Sequence, residues 1–103
     1  MFTLRIRRIA RAEIHEAFDW YLARSRPAAA RFIDAVDDTV DAITADPERQ
    51  RPIHGSLRRW LLIGFPYGVY YKVFPSVISV VGVIHGSRHP DTWLRRVSNR
   101  EHG

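Results

Sequence analysis

A run of nine residues near the end of the chain, VISVVGVIH at 77–85, restricts the fold more than any other feature. In an extended strand its apolar side chains fall on both faces, with Ile78, Val80 and Ile84 on one and Val77, Val81 and Val83 on the other. A strand that is apolar on both faces has to be covered on both. We therefore predict a central strand with helices on one side and a second layer on the other.

Two further apolar runs precede it, LRRWLLI at 57–63 and YGVYYKVF at 67–74, and both are rich in aromatic and aliphatic residues. The short connections GFP and PS separate the three runs, which is typical of an antiparallel meander. A fourth strand is predicted at the start of the chain, where Phe2, Leu4 and Ile6 alternate with polar residues.

Helical periodicity fills the segment between the first strand and the meander. Apolar residues spaced three and four apart predict one helix over residues 9–24 and a second that begins near Pro27 and ends at Asp46-Pro47. A polar loop follows at 47–56, and PDTWLRRV, from residue 90, predicts a short final helix. The order β-α-α-β-β-β(-α) indicates a single α+β domain over 1–103, a small and mostly antiparallel sheet with a helical hairpin packed on one face.

Composition excludes several classes of protein. The absence of cysteine rules out disulfides, thiolate catalysis and cysteine-ligated zinc, and the five histidines are too scattered to predict a metal site. We expect no cofactor. No stretch approaches the ~20 apolar residues of a membrane helix, and the arginine-rich N-terminus lacks the features of a signal peptide, so we expect a cytoplasmic protein.

The charge of the chain is unevenly distributed. Residues 13–48 hold nine of the eleven acidic residues and three arginines, a local net charge of −6, whereas the other residues carry a net charge of +11. We therefore expect one surface to favour an acidic partner or a phosphate backbone.

The nonapeptide HGSRHPDTW at 85–93 concentrates ionisable groups directly after the buried strand. A ribonuclease needs a base, an acid and a cation, and His85, His89 and Arg88 supply those groups. The structural interpretation is that Gly86 and Pro90 end the strand and that Trp93 packs back on the core. We favour the structural interpretation over binding, and binding over catalysis.

Basic and aromatic residues of the meander allow a second binding surface. Arg58 and Arg59 must point to opposite faces of a strand, so one of them at most shares a solvent-facing side with Lys72. The aromatic residues could stack on bases, but we interpret them as core residues and cross-strand partners; they are Trp60, Tyr67, Tyr70 and Tyr71.

The segment RRWLLIGFPYGVYYKVFPSVISVVGVIHGSRHPDTW resembles the RelE/ParE toxin superfamily, and in particular its ParE-like branch of plasmid stabilisation proteins. The resemblance rests on FPY before a Y-Y strand, the apolar strand after it and the H-G-x-R-x-P-x-x-W ending. It implies the toxin of a type II toxin–antitoxin module, held inactive in a hetero-oligomer by a cognate antitoxin with an acidic, partly disordered segment. The basic surface inferred from charge suits such a partner.

Members of this superfamily differ in their target. The resemblance implies either inhibition of DNA gyrase, as in ParE-like toxins, or ribosome-dependent cleavage of mRNA, as in RelE-like toxins. Gly68 and Ser87 stand where mRNA-cleaving relatives tend to have arginines, and Trp93 stands in place of a late catalytic tyrosine. After a one-residue shift, Arg88 and His89 are close enough to substitute.

We therefore predict a toxin that acts by binding, on gyrase, and assign no catalytic residue. The alternatives are an endoribonuclease that uses His85, Arg88 and His89, and a domain that has lost its toxicity. The residues predicted to bind the target or the antitoxin are Arg58, Arg59, Lys72, His85, Arg88 and His89.

Overall fold

A computed structural model describes residues 2–100, apart from the side chain of Asp91. The elements in chain order are β1 (Thr3–Ile6), α1 (Arg8–Leu22), α2 (Arg26–Ala45), β2 (Arg58–Leu61), β3 (Tyr67–Val73), β4 (Val77–His85) and α3 (Pro90–Ser98). The predicted α+β class and the predicted order of elements are confirmed. Within the described residues no helix is both long and apolar enough to cross a membrane.

The four strands form one sheet in the order β1-β4-β3-β2. Strand β4 lies inside the sheet, as its apolar residues on both faces predict. It pairs antiparallel with β3 and parallel with β1, and β2 pairs antiparallel with β3. The sheet is therefore mostly antiparallel, with one parallel edge strand.

The helical hairpin α1–α2 covers one face of the sheet. Ser25 caps α2, because its Oγ accepts a hydrogen bond from the backbone N–H of Ala28 at 3.2 Å. The helix ends at Ala45, since Asp46 precedes a proline and has left the helical region at φ −152°. Buried residues of both helices pack against the sheet in a first core cluster, which includes Ala17, Phe32, Val36, Ile43, Val69, Tyr71, Ile78, Val80 and Val83.

Helix α3 lies against the opposite face of the sheet and supplies the second layer. Trp93 and Val97 of α3 are buried against residues of the meander in a second core cluster, whose other buried members are Leu57, Tyr70, Val81 and Ile84. The predicted return of Trp93 to the core is confirmed, since the ring is 8% exposed and meets Tyr70 edge-on at 4.9 Å. Both faces of β4 are thereby covered.

A β-bulge interrupts the pairing of β3 with β4. Tyr70 pairs with Gly82 and Tyr71 pairs with Val80, so Val81 is an extra residue on β4. A bulge of this kind shifts the alternation of side chains between the two faces by one position.

The residues that follow the bulge therefore lie on the faces opposite to those predicted. Val83 belongs to the cluster on the hairpin side, and Ile84 belongs to the cluster under α3. The predicted faces of Val83 and Ile84 are wrong, because strict alternation holds only for an uninterrupted strand. The same shift turns the next residue, His85, toward the hairpin.

Side chains satisfy the edge of β4 beyond the end of β1. The Glu13 carboxylate accepts a hydrogen bond from the Val83 N–H at 2.9 Å, and Arg100 Nη1 donates to the Val81 carbonyl at 2.8 Å. Arg100 and Glu13 also form an ion pair at 3.4 Å. This pair ties α1 and the end of the described chain to the central strand.

Candidate functional site

The candidate site lies at the end of the sheet where β3 begins and β4 ends. Tyr67 and His85 are partners in the strand register, and their rings meet edge-on with centroids 4.9 Å apart. His85 Nδ1 accepts a hydrogen bond from the Ser87 N–H at 2.9 Å, which leaves the proton of a neutral imidazole on Nε2. The Gly86 N–H donates to the Pro66 carbonyl at 2.7 Å and fixes the exit from β4.

A cavity of about 420 Å³ opens beside this pair on the hairpin side of the sheet. Its lining combines apolar and aromatic walls with a few ionisable groups, and comprises Glu13, Glu16, Ala17, Trp20, Tyr21, Pro66, Tyr67, Val83, His85 and Arg88. Burial raises the pKa of Tyr67, the nearby Tyr21 and Glu16 raise it further, and the Arg88 guanidinium partly opposes them. The Tyr67 hydroxyl therefore stays neutral near pH 7 and can donate a hydrogen bond to a ligand in the cavity.

A second depression, of about 250 Å³, lies on the α3 side of the same sheet end. Arg59, Gly68 and Trp93 line it, and Arg88 lines both this depression and the cavity. The indole N–H of Trp93 donates to the Arg88 carbonyl at 3.2 Å, so the ring is engaged in fixing the loop before α3. Among the described residues that line this depression, the cationic groups are guanidiniums, and there is no histidine and no carboxylate.

The structure does not gather all three residues of the hypothetical ribonuclease site. The His85 ring faces the cavity on the hairpin side, Arg88 lies between the two concavities, and the exposed His89 lines neither. The His89 carbonyl instead accepts hydrogen bonds from the N–H and the hydroxyl of Thr92 in the first turn of α3. The structure therefore brings together His85 and Arg88, but not His89.

The structure also places the predicted basic residues of the meander in different surroundings. Arg59 is exposed, whereas Arg58 turns toward the 47–50 loop and donates to the carbonyls of Gln50 and Glu48. Lys72 does not belong to an exposed surface, because it is 5% exposed and its ammonium donates to the Ser98 carbonyl near the end of α3. A lysine on this face is covered as soon as α3 packs there, which the sequence of β3 cannot show.

Sequence reasoning missed the contribution of α1 to the cavity. Trp20 is 52% exposed and stacks under the guanidinium of Arg24, whose carbon lies 3.7 Å from the ring centroid. Glu16 of the same helix also lines the cavity. A large aromatic residue outside the apolar stripe of a helix was the available signal.

The predicted core role of the aromatic residues of the meander agrees with their burial, since Tyr70 and Tyr71 are 3% and 0% exposed. Among the side chains that the structure describes, no three from histidine, aspartate or glutamate are placed to hold a metal ion together. The site therefore offers a mostly apolar cavity that also holds the carboxylates of Glu13 and Glu16 and the His85 imidazole, with the Arg88 guanidinium at its rim. The depression on the α3 side adds the guanidinium of Arg59.

The family model described as the ParE toxin of the type II toxin–antitoxin system parDE matches residues 4–90. Among solved structures, the chromosomal ParDE TA system from P. aeruginosa contains a similar chain, with 17% sequence identity and a TM-score of 0.74 over 82% of this chain and 96% of that one. At this identity the likeness shows a shared fold. No curated protein matches the sequence. Because the family match extends from β1 to the first residue of α3, the chain belongs to the ParE toxin family of type II toxin–antitoxin systems.

Proposed function

We propose that this toxin inhibits growth by binding DNA gyrase, and that a cognate antitoxin with an acidic segment neutralises it in a cytoplasmic hetero-oligomer. Residues 1–103 then belong to a single toxin domain. The observation that carries the proposal is the family match over 4–90, which includes the hairpin, nearly all of the sheet and every residue that lines the two concavities except Trp93.

The arrangement of ionisable groups supports binding over cleavage. Hydrolysis or transesterification of RNA requires a proton acceptor and a proton donor within hydrogen-bonding reach of the same phosphate. In the cavity, His85 and Arg88 stand beside the carboxylates of Glu13 and Glu16, which repel a phosphate. The depression on the α3 side offers Arg59 and Arg88 to an anion, but the described residues that line it include no group that exchanges protons near pH 7. Guanidinium groups stabilise charge and do not exchange protons near pH 7.

Among the predicted binding residues, the geometry favours Arg59, His85 and Arg88 as contacts to a partner. Arg59 and Arg88 are exposed, and His85 is half-buried in the cavity wall. An apolar side chain of a partner would fill the cavity while Arg88 at its rim pairs with a carboxylate. Lys72 supports this surface from beneath, by holding α3 in place.

The test is a gyrase supercoiling assay with the purified chain. We expect inhibition of supercoiling and accumulation of cleaved plasmid, with translated messages intact. Arg88→Glu should weaken inhibition by at least about tenfold, because it reverses a charge at the rim of both concavities. Asp37→Arg, an exposed change on the hairpin, is the matched control and should have little effect.

Two other outcomes would replace the proposal. Cuts at translated messages that disappear in His85→Ala and Arg88→Ala would establish the ribonuclease alternative. Normal growth on induction without an antitoxin, together with unaffected gyrase, would mean that toxicity has been lost.

A further inference from the structure

Four exposed arginines lie on the sheet side that faces away from the helical hairpin, and we call this surface the arginine face. They come from both edge strands and from α3, and they are Arg5, Arg59, Arg95 and Arg96.

Strand alternation places the first two of these residues. The neighbours of Arg5, Leu4 and Ile6, pack into the core on the hairpin side, so Arg5 points to the other side. Trp60 likewise packs on the hairpin side, which places its neighbour Arg59 on the α3 side. Both arginines therefore flank the surface that α3 covers.

Helix α3 adds the other two. Its buried residues are Trp93 and Val97, and the exposed Arg95 and Arg96 lie between them on the outer surface of the helix. Arg88 is exposed at the rim of the same side. Within the described part of the chain, none of the arginines of this face forms an ion pair.

Most of the acidic residues whose side chains the structure describes lie on the hairpin, which covers the other face of the sheet. The hairpin carries a row of exposed carboxylates on α2, formed by Asp34, Asp37, Asp38 and Asp41. Residues 8–45, which form the hairpin, hold seven acidic residues and five arginines, a net charge of −2, whereas the rest of the chain has a net charge of +7. The sheet thus separates a negative layer from a positive one, and this orients the molecule with α3 toward a polyanion.

The positions of exposed apolar side chains indicate whether the polyanion is an acidic protein or a nucleic acid. Ile9, Trp20 and Leu22 lie on α1, Ile53 lies in the loop before β2, and Leu61 and Ile63 lie at or just beyond the end of β2. Leu61 shares the side of Arg59 at the sheet edge, but none of these residues lies on the outer surface of α3. A protein partner takes most of its affinity from buried apolar and aromatic anchors. A phosphate backbone requires mainly cations, whose binding releases counterions.

We propose that the arginine face binds the phosphate backbone of duplex DNA, specifically the segment that gyrase holds. This inference rests on the proposed function, because it assumes that the toxin meets DNA in the gyrase complex. The toxin then contacts the enzyme and its substrate at once, and an acidic antitoxin segment that covers the arginine face blocks the DNA contact.

The experiment measures binding of a fluorescein-labelled DNA duplex of about 30 base pairs by anisotropy, from about 50 to about 200 mM salt. The test variant is Arg59→Ala/Arg95→Ala/Arg96→Ala. A plot of log K against log salt has a negative slope, and each phosphate contact contributes about 0.9 to its magnitude. Loss of the three arginines should therefore lower the magnitude of the slope by about 2 to 3. Affinity at the lowest salt should fall at least about tenfold.

A matched control removes three exposed hairpin arginines, Arg11, Arg26 and Arg31, and lowers the net charge by the same amount. We expect this control to retain the slope of the wild type. Lysine at the three arginine-face positions keeps the charges and should also retain it, which separates a lost contact from a folding defect.

Equal losses in the two alanine variants would show that only net charge matters and would overturn the proposal. So would the absence of DNA binding at the lowest salt, or tighter binding to a double-stranded RNA of the same length. Supercoiling measured in parallel separates the two proposals. If the wild-type protein binds DNA through the arginine face but leaves gyrase active, the result contradicts the proposed function alone. If the protein inhibits gyrase without binding DNA, the result contradicts this inference alone.

Discussion

The hydroxyl of Tyr71 gives the sharpest test of how the sheet is joined to the hairpin. Tyr71 is on β3, its side chain is fully buried, and its hydroxyl donates a 2.9 Å hydrogen bond to the carbonyl of Pro47. Pro47 is itself buried and follows the end of α2. The substitution Tyr71→Phe keeps the ring and leaves that carbonyl without its donor.

The expected loss of stability in Tyr71→Phe arises because the buried carbonyl of Pro47 loses its hydrogen-bond donor. A buried acceptor that loses its partner costs about 1–3 kcal/mol, and in a domain of this size each 1 kcal/mol lowers Tm by about 4–8 °C. The free energy of unfolding is measured by urea titration at pH 7. Tyr67→Phe is the control, because the Tyr67 hydroxyl makes no hydrogen bond within residues 2–100, and it should cost less than about 0.5 kcal/mol.

Ionisation of the same hydroxyl should make the free energy of unfolding depend on pH. Burial raises the pKa of Tyr71 from 10.0 to about 12, although Arg58 partly opposes the shift. The unfolded chain therefore ionises at Tyr71 first, so its stabilising contribution is complete below pH 10 and is lost as the pH rises to about 12. The stability difference between wild type and Tyr71→Phe should shrink over that window.

Two results would refute this reasoning. A Tyr71→Phe protein within about 0.5 kcal/mol of wild type at pH 7 would mean that the carbonyl of Pro47 is hydrated or finds another donor. A difference that stays constant between pH 10 and pH 12 would mean that the hydroxyl is not buried in the folded protein.

Three other substitutions test the remaining contacts by urea unfolding. Trp93→Ala should cost about 3–5 kcal/mol, because the ring is buried between α3 and the sheet; Trp93→Phe should cost less. Gly82→Val should cost about 1–3 kcal/mol, since even its Cβ would lie 3.3 Å from Arg100 Nη1 and from Val97 Cγ1. Ser25→Ala should cost about 1 kcal/mol through loss of the α2 cap, and Ser25→Asp should restore it.

The controls for these changes are specific to each site. Gly86→Val, where the nearest atom to an added Cβ is 3.5 Å away, should be milder than Gly82→Val, and the reverse order would contradict the packing at the bulge. Equal stability of Trp93→Ala and wild type would mean that α3 does not cover the sheet. A Ser25→Ala protein as stable as wild type would remove the capping argument.

Local patterns were sufficient to predict the elements and their order. The apolar positions on both faces of β4 predicted an inner strand with two covered faces, and Pro47 predicted where α2 ends. The placement of Trp93 in the core also followed, because a large aromatic residue just past a strand terminator has few other places to be buried. Each of these inferences needs only steric limits and the burial of nearby apolar residues, which a short stretch of sequence contains.

The geometry of the candidate site depended on contacts between distant segments. The bulge at Val81 exists only in the pairing of β3 with β4, and it turns His85 away from the α3 side. Lys72 is buried because the end of α3, 26 residues further along the chain, offers it a carbonyl. Alternation along one strand fixes the face of a side chain only while pairing is regular, and the exposure of a charge depends on what packs over it. The sequence therefore determined the layers of this toxin, and tertiary packing decided which of its charged groups are exposed.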